Sequence, residues 1–393
     1  MSQESTNTRL VVGLMSGTSL DGVDAALARL RGSGASLEIE LLAFISLPYK
    51  DDLRQLIFKN SQPASSSVLE ISQLNVRLSH VYADVVKQLL REAGVALELI
   101  DAVGCHGQTL YHVPDAEDCA GMPTRSTLQI GDPSTLANVL NTTVVGDFRL
   151  ADMAFGGQGA PLVPYFDYVY FSDPSENRAL LNIGGIGNLS VIPAGAGSDN
   201  IIAFDTGPGN MVIDAVVQHF WGEPYDASGR YAASGQPNEQ LLNTLLESPY
   251  YQRVPPKSTG REYFNQSYVD DVLSRAQVLS MDKPEDIVAT VSCLTIETIA
   301  RAFESFIQPG IEVARVIVSG GGVHNTFIMN GLAERLKPVQ VQSMQDFGLD
   351  PDAKEALCFA VLAHETLNRS ASNVPSATGA SQPAILGKIC FAG

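Results

Sequence analysis

Ile201-Ile202-Ala203-Phe204-Asp205-Thr206-Gly207-Pro208-Gly209-Asn210 is the stretch from which the rest of the chain is best read. A short apolar run of this kind predicts a buried strand. It stops at a carboxylate and a Thr-Gly-Pro-Gly-Asn turn, after which Met211 to Val217 resumes an apolar pattern of helical or extended type. Glycine-rich turns leave peptide N–H groups uncovered, and such groups can converge on phosphate oxygens. An acidic side chain at the same strand end is placed to take a proton or to hold a metal ion. A capped tight turn is the commoner fate of a single Asp-x-Gly, so the weight lies in how often the pattern recurs.

It recurs near both ends. Leu10 to Met15 reads as a strand, Ser16-Gly17-Thr18-Ser19-Leu20-Asp21-Gly22 as a polar turn, and Val23-Asp24 to Leu30 as the returning strand of a hairpin. Hydroxyls and freed N–H groups here suit phosphate, and Asp21 or Asp24 could hold Mg²⁺ directly or through water. Ala179 to Ile183, Gly184-Gly185-Ile186-Gly187-Asn188 and Leu189 to Ile192 repeat the strand–turn–strand layout. Val313 to Val318 delivers Ser319-Gly320-Gly321-Gly322, which is neither a Walker sequence nor a dinucleotide fingerprint. Together these loops suggest a nucleotide lying across a cleft between two lobes.

Between them, Lys50 to Ala93 has helical spacing and Ile100 to Gly104 reads as a strand ending in a loop, Cys105-His106-Gly107-Gln108-Thr109. Leu128 to Gly131 and Thr143 to Gly146 are further strands, with Asp132 capping a helix through Leu140. Residues 222–265 are rich in Pro, Gly and Tyr and are expected to be irregular, while 284–306, 327–336 and 352–366 read as helices. Strands ending in glycine turns and alternating with helices in two similar halves predict an α/β protein with mixed sheets. The boundary is expected near residue 150. The N-terminal lobe would comprise 1–150 plus about 371–393 and carry the phosphate hairpin, and the C-terminal lobe would be 151–370.

His106 and Gln108 are read as lining the cleft, although a satisfied histidine is the commoner case and no second His lies at metal-ligand spacing. Arg149 with Asp147 and Asp152 could orient a polar substrate, a surface ion pair being the alternative. Lys257 and Arg261 could hold an anion. Glu355, beside the apolar Ala356 to Ala360, is paired, peripheral or functional.

A net charge of −18 over 393 residues argues against a generic nucleic-acid or anionic-membrane binder, so an anionic ligand must be met locally. The five scattered cysteines form no CxxC, which predicts neither a disulfide framework nor a zinc site. With a polar start and no apolar run of spanning length, the expected home is reducing cytosol.

The motifs Gly13 to Asp24, His106-Gly107-Gln108-Thr109, Gly146-Asp147-Phe148-Arg149, Gly156-Gly157-Gln158-Gly159-Ala160-Pro161, Asn182 to Gly185, Phe204 to Asn210, Lys257 to Glu262 and Gly320 to Asn325 run in one order along nearly the whole chain. In that order they resemble the anhydro-N-acetylmuramic acid kinase family. The resemblance implies the actin/hexokinase/Hsp70-type fold, two lobes closing on ATP with Mg²⁺, and a homodimer. It implies phosphorylation of O6 of 1,6-anhydro-N-acetylmuramic acid while water opens the anhydro bridge at C1, a step of cell-wall recycling. Asp205 matches the family's catalytic base. Gly17, Thr18, Ser19, Leu20, Asp21, Gly22, Val23 and Asp24 match its nucleotide loop, joined by Gly207, Gly209, Asn210, Gly320, Gly321 and Gly322. His106, Gln108, Arg149, Gln158 and Glu355 are the candidates for the sugar, and Asp205 and Glu355 for the metal. A levoglucosan kinase shares these motifs and the bridge-opening chemistry. A non-catalytic nucleotide- or sugar-binding protein on the same scaffold is the alternative of another class.

Overall fold

The computed structural model describes residues 8–197, 200–255, 257–260 and 263–393. Its contacts divide the chain into two units, Met1–Tyr170 with Asp352–Gly393, and Phe171–Pro351.

In the first unit, β1 (Thr8–Ser16), β2 (Gly22–Arg31) and β3 (Glu38–Pro48) form an antiparallel meander. β4 (Ala102–Cys119) lies parallel to β1, and β6 (Val144–Gly146) parallel to β4. β5 (Met122–Ile130) pairs back on β4, and β12 (Lys388–Cys390) closes the edge antiparallel to β6. The order is β12-β6-β4-β1-β2-β3.

In the second unit, β7 (Arg178–Ile183), β8 (Ile186–Ile192) and β9 (Ile202–Pro208) form another antiparallel meander. β10 (Arg315–Ser319) runs parallel to β7, and β11 (Gln340–Ser343) parallel to β10. Its order, β11-β10-β7-β8-β9, repeats that of the first sheet. Meander first, then parallel strands on the far side of strand one: the two halves share one plan, and the α/β fold with two mixed sheets is the one expected.

Helix–sheet packing explains two glycines in the first unit. The helix Lys354–Asn368 is buried from Ala356 to Thr366, as befits a helix covered on most sides. A Cβ on Gly13 would lie 1.9 Å from the Ala356 carbonyl oxygen, and one on Gly104 would lie 2.1 Å from that of Phe359. Those two residues face each other across β1 and β4, so the helix backbone rests directly on the sheet.

Three expectations change. The His106 to Thr109 segment is no loop: β4 runs on to Cys119 because β5 pairs with it, and Ala120-Gly121, both at positive φ, make the tight reversal. Residues 222–265 contain the short helices Arg230–Ser234 and Glu239–Leu246, the latter capped by the Asn238 side chain, which accepts from Leu241 N–H at 2.9 Å. The division falls after Tyr170 and before Asp352 rather than near 150 and 370. An ion pair accounts for part of that shift, because Lys354 Nζ and Asp167 Oδ1 lie 2.7 Å apart with both side chains buried.

Candidate active site

In the second unit, Asp205 and Asn188 occupy facing positions of β9 and β8. Asn188 Nδ2 donates to Asp205 Oδ1 at 2.8 Å, and the Thr259 amide donates to Oδ2 at 2.9 Å. The backbone is held as well: Tyr250 OH donates to the Asp205 carbonyl at 2.9 Å, and Asp205 N–H to the Lys257 carbonyl at 3.0 Å. Each carboxylate oxygen thus has a fixed donor. Lys257 is buried with Nζ 5.0 Å from the ring centres of both Tyr250 and Phe306. Burial lowers its pKa, against the opposing pull of Asp205. Its cation therefore anchors the segment that supplies Thr259. Arg261, the other expected anion holder, lies outside the described residues.

The glycine turns meet around Asn210. Gly209 N–H donates to the Gly185 carbonyl and Asn210 N–H to the Gly184 carbonyl, both at 2.8 Å. A Cβ on Gly209 would sit 2.4 Å from the Gly184 oxygen, and one on Gly322 would sit 2.4 Å from Ile183 Cγ2. Asn210 Nδ2 donates to the Ile183 carbonyl at 3.1 Å, and Gly321 packs beside that same amide. Gly207, Gly209, Asn210 and Gly320 to Gly322 are thus brought to one place at the N-terminus of the helix Met211–Trp221, where N–H groups lack helical partners. Beside them opens a cavity of about 330 Å³ lined by Asn210, Asp214, Tyr225, Asp226, Gly321 and His324.

In the first unit the β1–β2 turn exposes Thr18, Ser19 and Asp21, while Leu20 and Val23 are buried beneath it. Leu20 takes φ 60°, and its N–H donates to the Gly17 carbonyl at 3.3 Å. Gln108 is wholly buried behind the turn. Its Nε2 donates to the Gly17 carbonyl at 3.0 Å and its Oε1 accepts from Tyr49 OH at 3.3 Å. It fixes the hairpin from within, so the expectation that it lines an open cleft is revised.

His106 is also buried, with its ring 4.7 Å from that of Phe359. Burial, then the charge of Arg149, drives its pKa down to about 3. The imidazole is neutral, and its Nε2 accepts from Arg149 Nη2 at 2.8 Å and from Nε at 3.1 Å. Arg149 Nη1 donates to the Gly159 carbonyl at 2.8 Å, so the guanidinium is aimed by one ring and one loop. Gln158 is exposed on that loop. Asp152 does not point toward a substrate. It is fully buried, accepting from Gly159 N–H at 2.8 Å and from Asn373 Nδ2 and Thr378 Oγ1 at 2.7 Å each. Asp147 accepts from Lys388 Nζ at 2.8 Å rather than pairing with Arg149.

Glu355 stands exposed in the first turn of its helix, its pKa raised by burial of part of the carboxyl and then by the nearby Asp24. Asp24 is raised in turn by burial, Asp352 and Asp21, against a hydrogen bond from Ser46. Asp205 belongs to the other unit, and among the described residues no group of three or more His, Cys, Asp or Glu side chains is arranged to hold a metal. Sequence reasoning missed Asn188, Thr259 and Tyr250 as partners of Asp205. The facing strand positions were the one available signal, and they required the β8–β9 register.

Peptide N–H groups gathered at glycine turns, beside a carboxylate clamped at a strand end, suit phosphoryl transfer. On twin sheets of one strand order they define a kinase of the actin/hexokinase/Hsp70 class. A family model described as anhydro-N-acetylmuramic acid kinase matches residues 9–392. The chain is 52% identical over 385 residues to the anhydro-N-acetylmuramic acid kinase of Salinibacter ruber, covering 98% of this chain and 97% of that one. It is 45% identical over 383 residues to that of Caldanaerobacter subterraneus subsp. tengcongensis, covering 97% and 96%. The chain belongs to the anhydro-N-acetylmuramic acid kinase family. Among solved structures, the activator of the 2-hydroxyisocaproyl-CoA dehydratase from Clostridium difficile with bound ADPNP aligns with TM-score 0.44 at 12% identity, over 92% of this chain and 96% of that. The ROK hexokinase from Thermus thermophilus gives 0.39 at 12%, over 91% and 99%. At these scores the likeness decides nothing, and the strand orders themselves carry the fold.

Proposed function

We propose that this kinase transfers the γ-phosphoryl group of ATP to O6 of 1,6-anhydro-N-acetylmuramic acid while water opens the anhydro bridge. The observation that carries the reading is the clamp on Asp205 by Asn188 and Thr259, on a chain of this family. O6 is an ether oxygen, so no hydroxyl proton awaits removal. Asp205 instead takes a proton from water as the water oxygen bonds to C1. The C1–O6 bond breaks with its electron pair moving to O6, O6 bonds to the γ-phosphorus, and the β–γ bridging oxygen leaves with ADP. The product is N-acetylmuramic acid 6-phosphate. General-base help of this kind is worth about 10²–10⁴-fold.

The glycine turns at 207–210 and 320–322 and the hairpin 17–24 are assigned to the nucleotide, with peptide N–H groups other than those of Gly209 and Asn210, together with the Thr18 and Ser19 hydroxyls, meeting its phosphates. Arg149, oriented by His106, supplies positive charge for the acidic sugar, and Gln108 acts by holding the Gly17 turn. Gln158 and Glu355 are assigned to the sugar hydroxyl and amide groups. Mg²⁺ fits the donor set, because Asp24 and Glu355 are hard oxygen donors and the charge of Asp24 helps raise the pKa of Glu355, with Asp205 the candidate carboxylate of the second unit. When bound it would neutralise phosphate charge. A cytosolic homodimer is the expected state. Free cysteines support the compartment, and no helix among the described residues is long and apolar enough to cross a membrane.

The test is turnover of the anhydro sugar with Mg-ATP in ¹⁸O-water. Label is expected at C1 of the phosphorylated product, and its absence there ends the mechanism. Competing turnover of levoglucosan and the muramic sugar fixes the substrate, with the muramic sugar expected to win.

A further inference from the structure

The cavity beside Gly321 contains two carboxylates, and only one has a structural task. Asp226 is buried and caps a helix, accepting from Tyr231 N–H at 2.9 Å and Ala232 N–H at 3.0 Å. Asp214 has no such work. It projects from the helix Met211–Trp221, and its own N–H donates to the Asn210 carbonyl at 2.8 Å. Burial, and then the charge of Asp226, pushes its carboxyl up to about 6, with no hydrogen bond drawing it down. Among the described residues, no Lys or Arg lines this cavity. An ionised carboxylate is a pure acceptor, so at neutral pH Asp214 calls for donors from whatever fills the space.

The position sets the kind of donor. Asn210 and Gly321 mark the end of the cavity where phosphate is assigned, at the helix N-terminus. Asp214 lies one turn further on, about 6 Å along the axis at 1.5 Å per residue. Phosphate oxygens would be repelled there. A ribose offers two hydroxyl donors at about that remove from its phosphates, whereas the adenine ring nitrogens are acceptors and its one donor, the 6-amino group, lies farther from the phosphates than the ribose does. Resting on the nucleotide placement proposed above, we infer that Asp214 accepts a hydrogen bond from the ribose hydroxyls and is the residue by which this kinase selects ribonucleoside over deoxyribonucleoside triphosphates.

The experiment compares kcat/KM for ATP, 2′-deoxy-ATP and 3′-deoxy-ATP in the full-length wild type, Asp214→Asn and Asp214→Ala. Hydrogen bonds to a charged group predict a wild-type preference for ATP of about 10–100-fold over at least one deoxy analogue. Asp214→Ala should reduce that ratio to near one by lowering the ATP value alone, with the isosteric Asp214→Asn in between and melting like the wild type. A wild-type ratio near one, or a ratio kept in Asp214→Ala, overturns the inference. Calorimetric ADP binding to Gly321→Val tests the placement separately, since its Cβ has room (3.6 Å to Asn210 Nδ2) while its methyl groups narrow the cavity. Lost binding supports the placement. Unchanged binding removes the nucleotide from this cavity, and the role of Asp214 with it.

Discussion

Asp205 is one carboxylate among 43 acidic residues, set at the end of β9 beside a glycine turn with a donor on each of its two oxygens. Asp205→Asn keeps the shape and removes the base, so sugar phosphorylation should fall by about 10²–10⁴-fold while ADP still binds. Steady-state kinetics beside calorimetry would show both. Asn188→Asp tests the clamp differently. A second carboxylate 2.8 Å away disfavours ionisation of the pair, so the acid limb of the kcat–pH profile should move to higher pH. An unmoved limb would detach Asn188 from the base. His106 yields a stability prediction. Its folded pKa of about 3 lies below the ordinary histidine value of 6.5, so the unfolded chain takes up the proton first. The contribution is fully present above pH 6.5 and is lost as pH falls toward 3. At about 1.4 kcal/mol per unit, wild type should lose up to about 2 kcal/mol between pH 6.5 and 5. Urea titrations should show a smaller loss in His106→Asn.

At the scale of elements, the first sheet depends on how closely the helix Lys354–Asn368 can approach. Gly104→Val forces a branched side chain into the Phe359 carbonyl, 2.1 Å from where its Cβ must stand. Overpacking of this order costs about 1–3 kcal/mol or more, and the obstacle is backbone that cannot rotate aside. A lowered urea midpoint with an unchanged slope is the expected result. The hairpin expected over 10–30 is present as β1 and β2, joined at residues 17–21. The strand through His106 was less legible. Its far end carries Glu117 and Asp118, residues of low strand propensity, which pair with Thr124 and Pro123 of β5 beyond an irregularity at Val113–Glu117.

At the scale of the molecule, the first unit is discontinuous in sequence, closed by residues from Asp352 onward. A chain ending at Pro351 loses the helix on Gly13 and Gly104, the edge strand β12 and the partner of Asp167, whose charge would stay buried alone. Stranding one member of such a pair costs about 3–5 kcal/mol. The shortened chain is expected to lose protection of β1 and β4 amides from hydrogen exchange while β7 to β10 keep theirs. Equal loss in both units would show that they do not fold separately.

Local chemistry in the sequence determined the class of fold, the glycine turns, and Asp205 as the acid at a strand end. Apolar runs, turn residues and helical spacing are read from neighbours a few positions apart. Tertiary structure alone decided what those residues do: that Gln108 is spent on the Gly17 turn, that Asp152 is a buried brace, that Asn188 clamps Asp205, and that residues beyond 351 complete the first unit. Each is a contact between distant positions, set by strand register and helix approach. No local pattern encodes those, because the same side chain is ligand, cap or brace according to what packs against it.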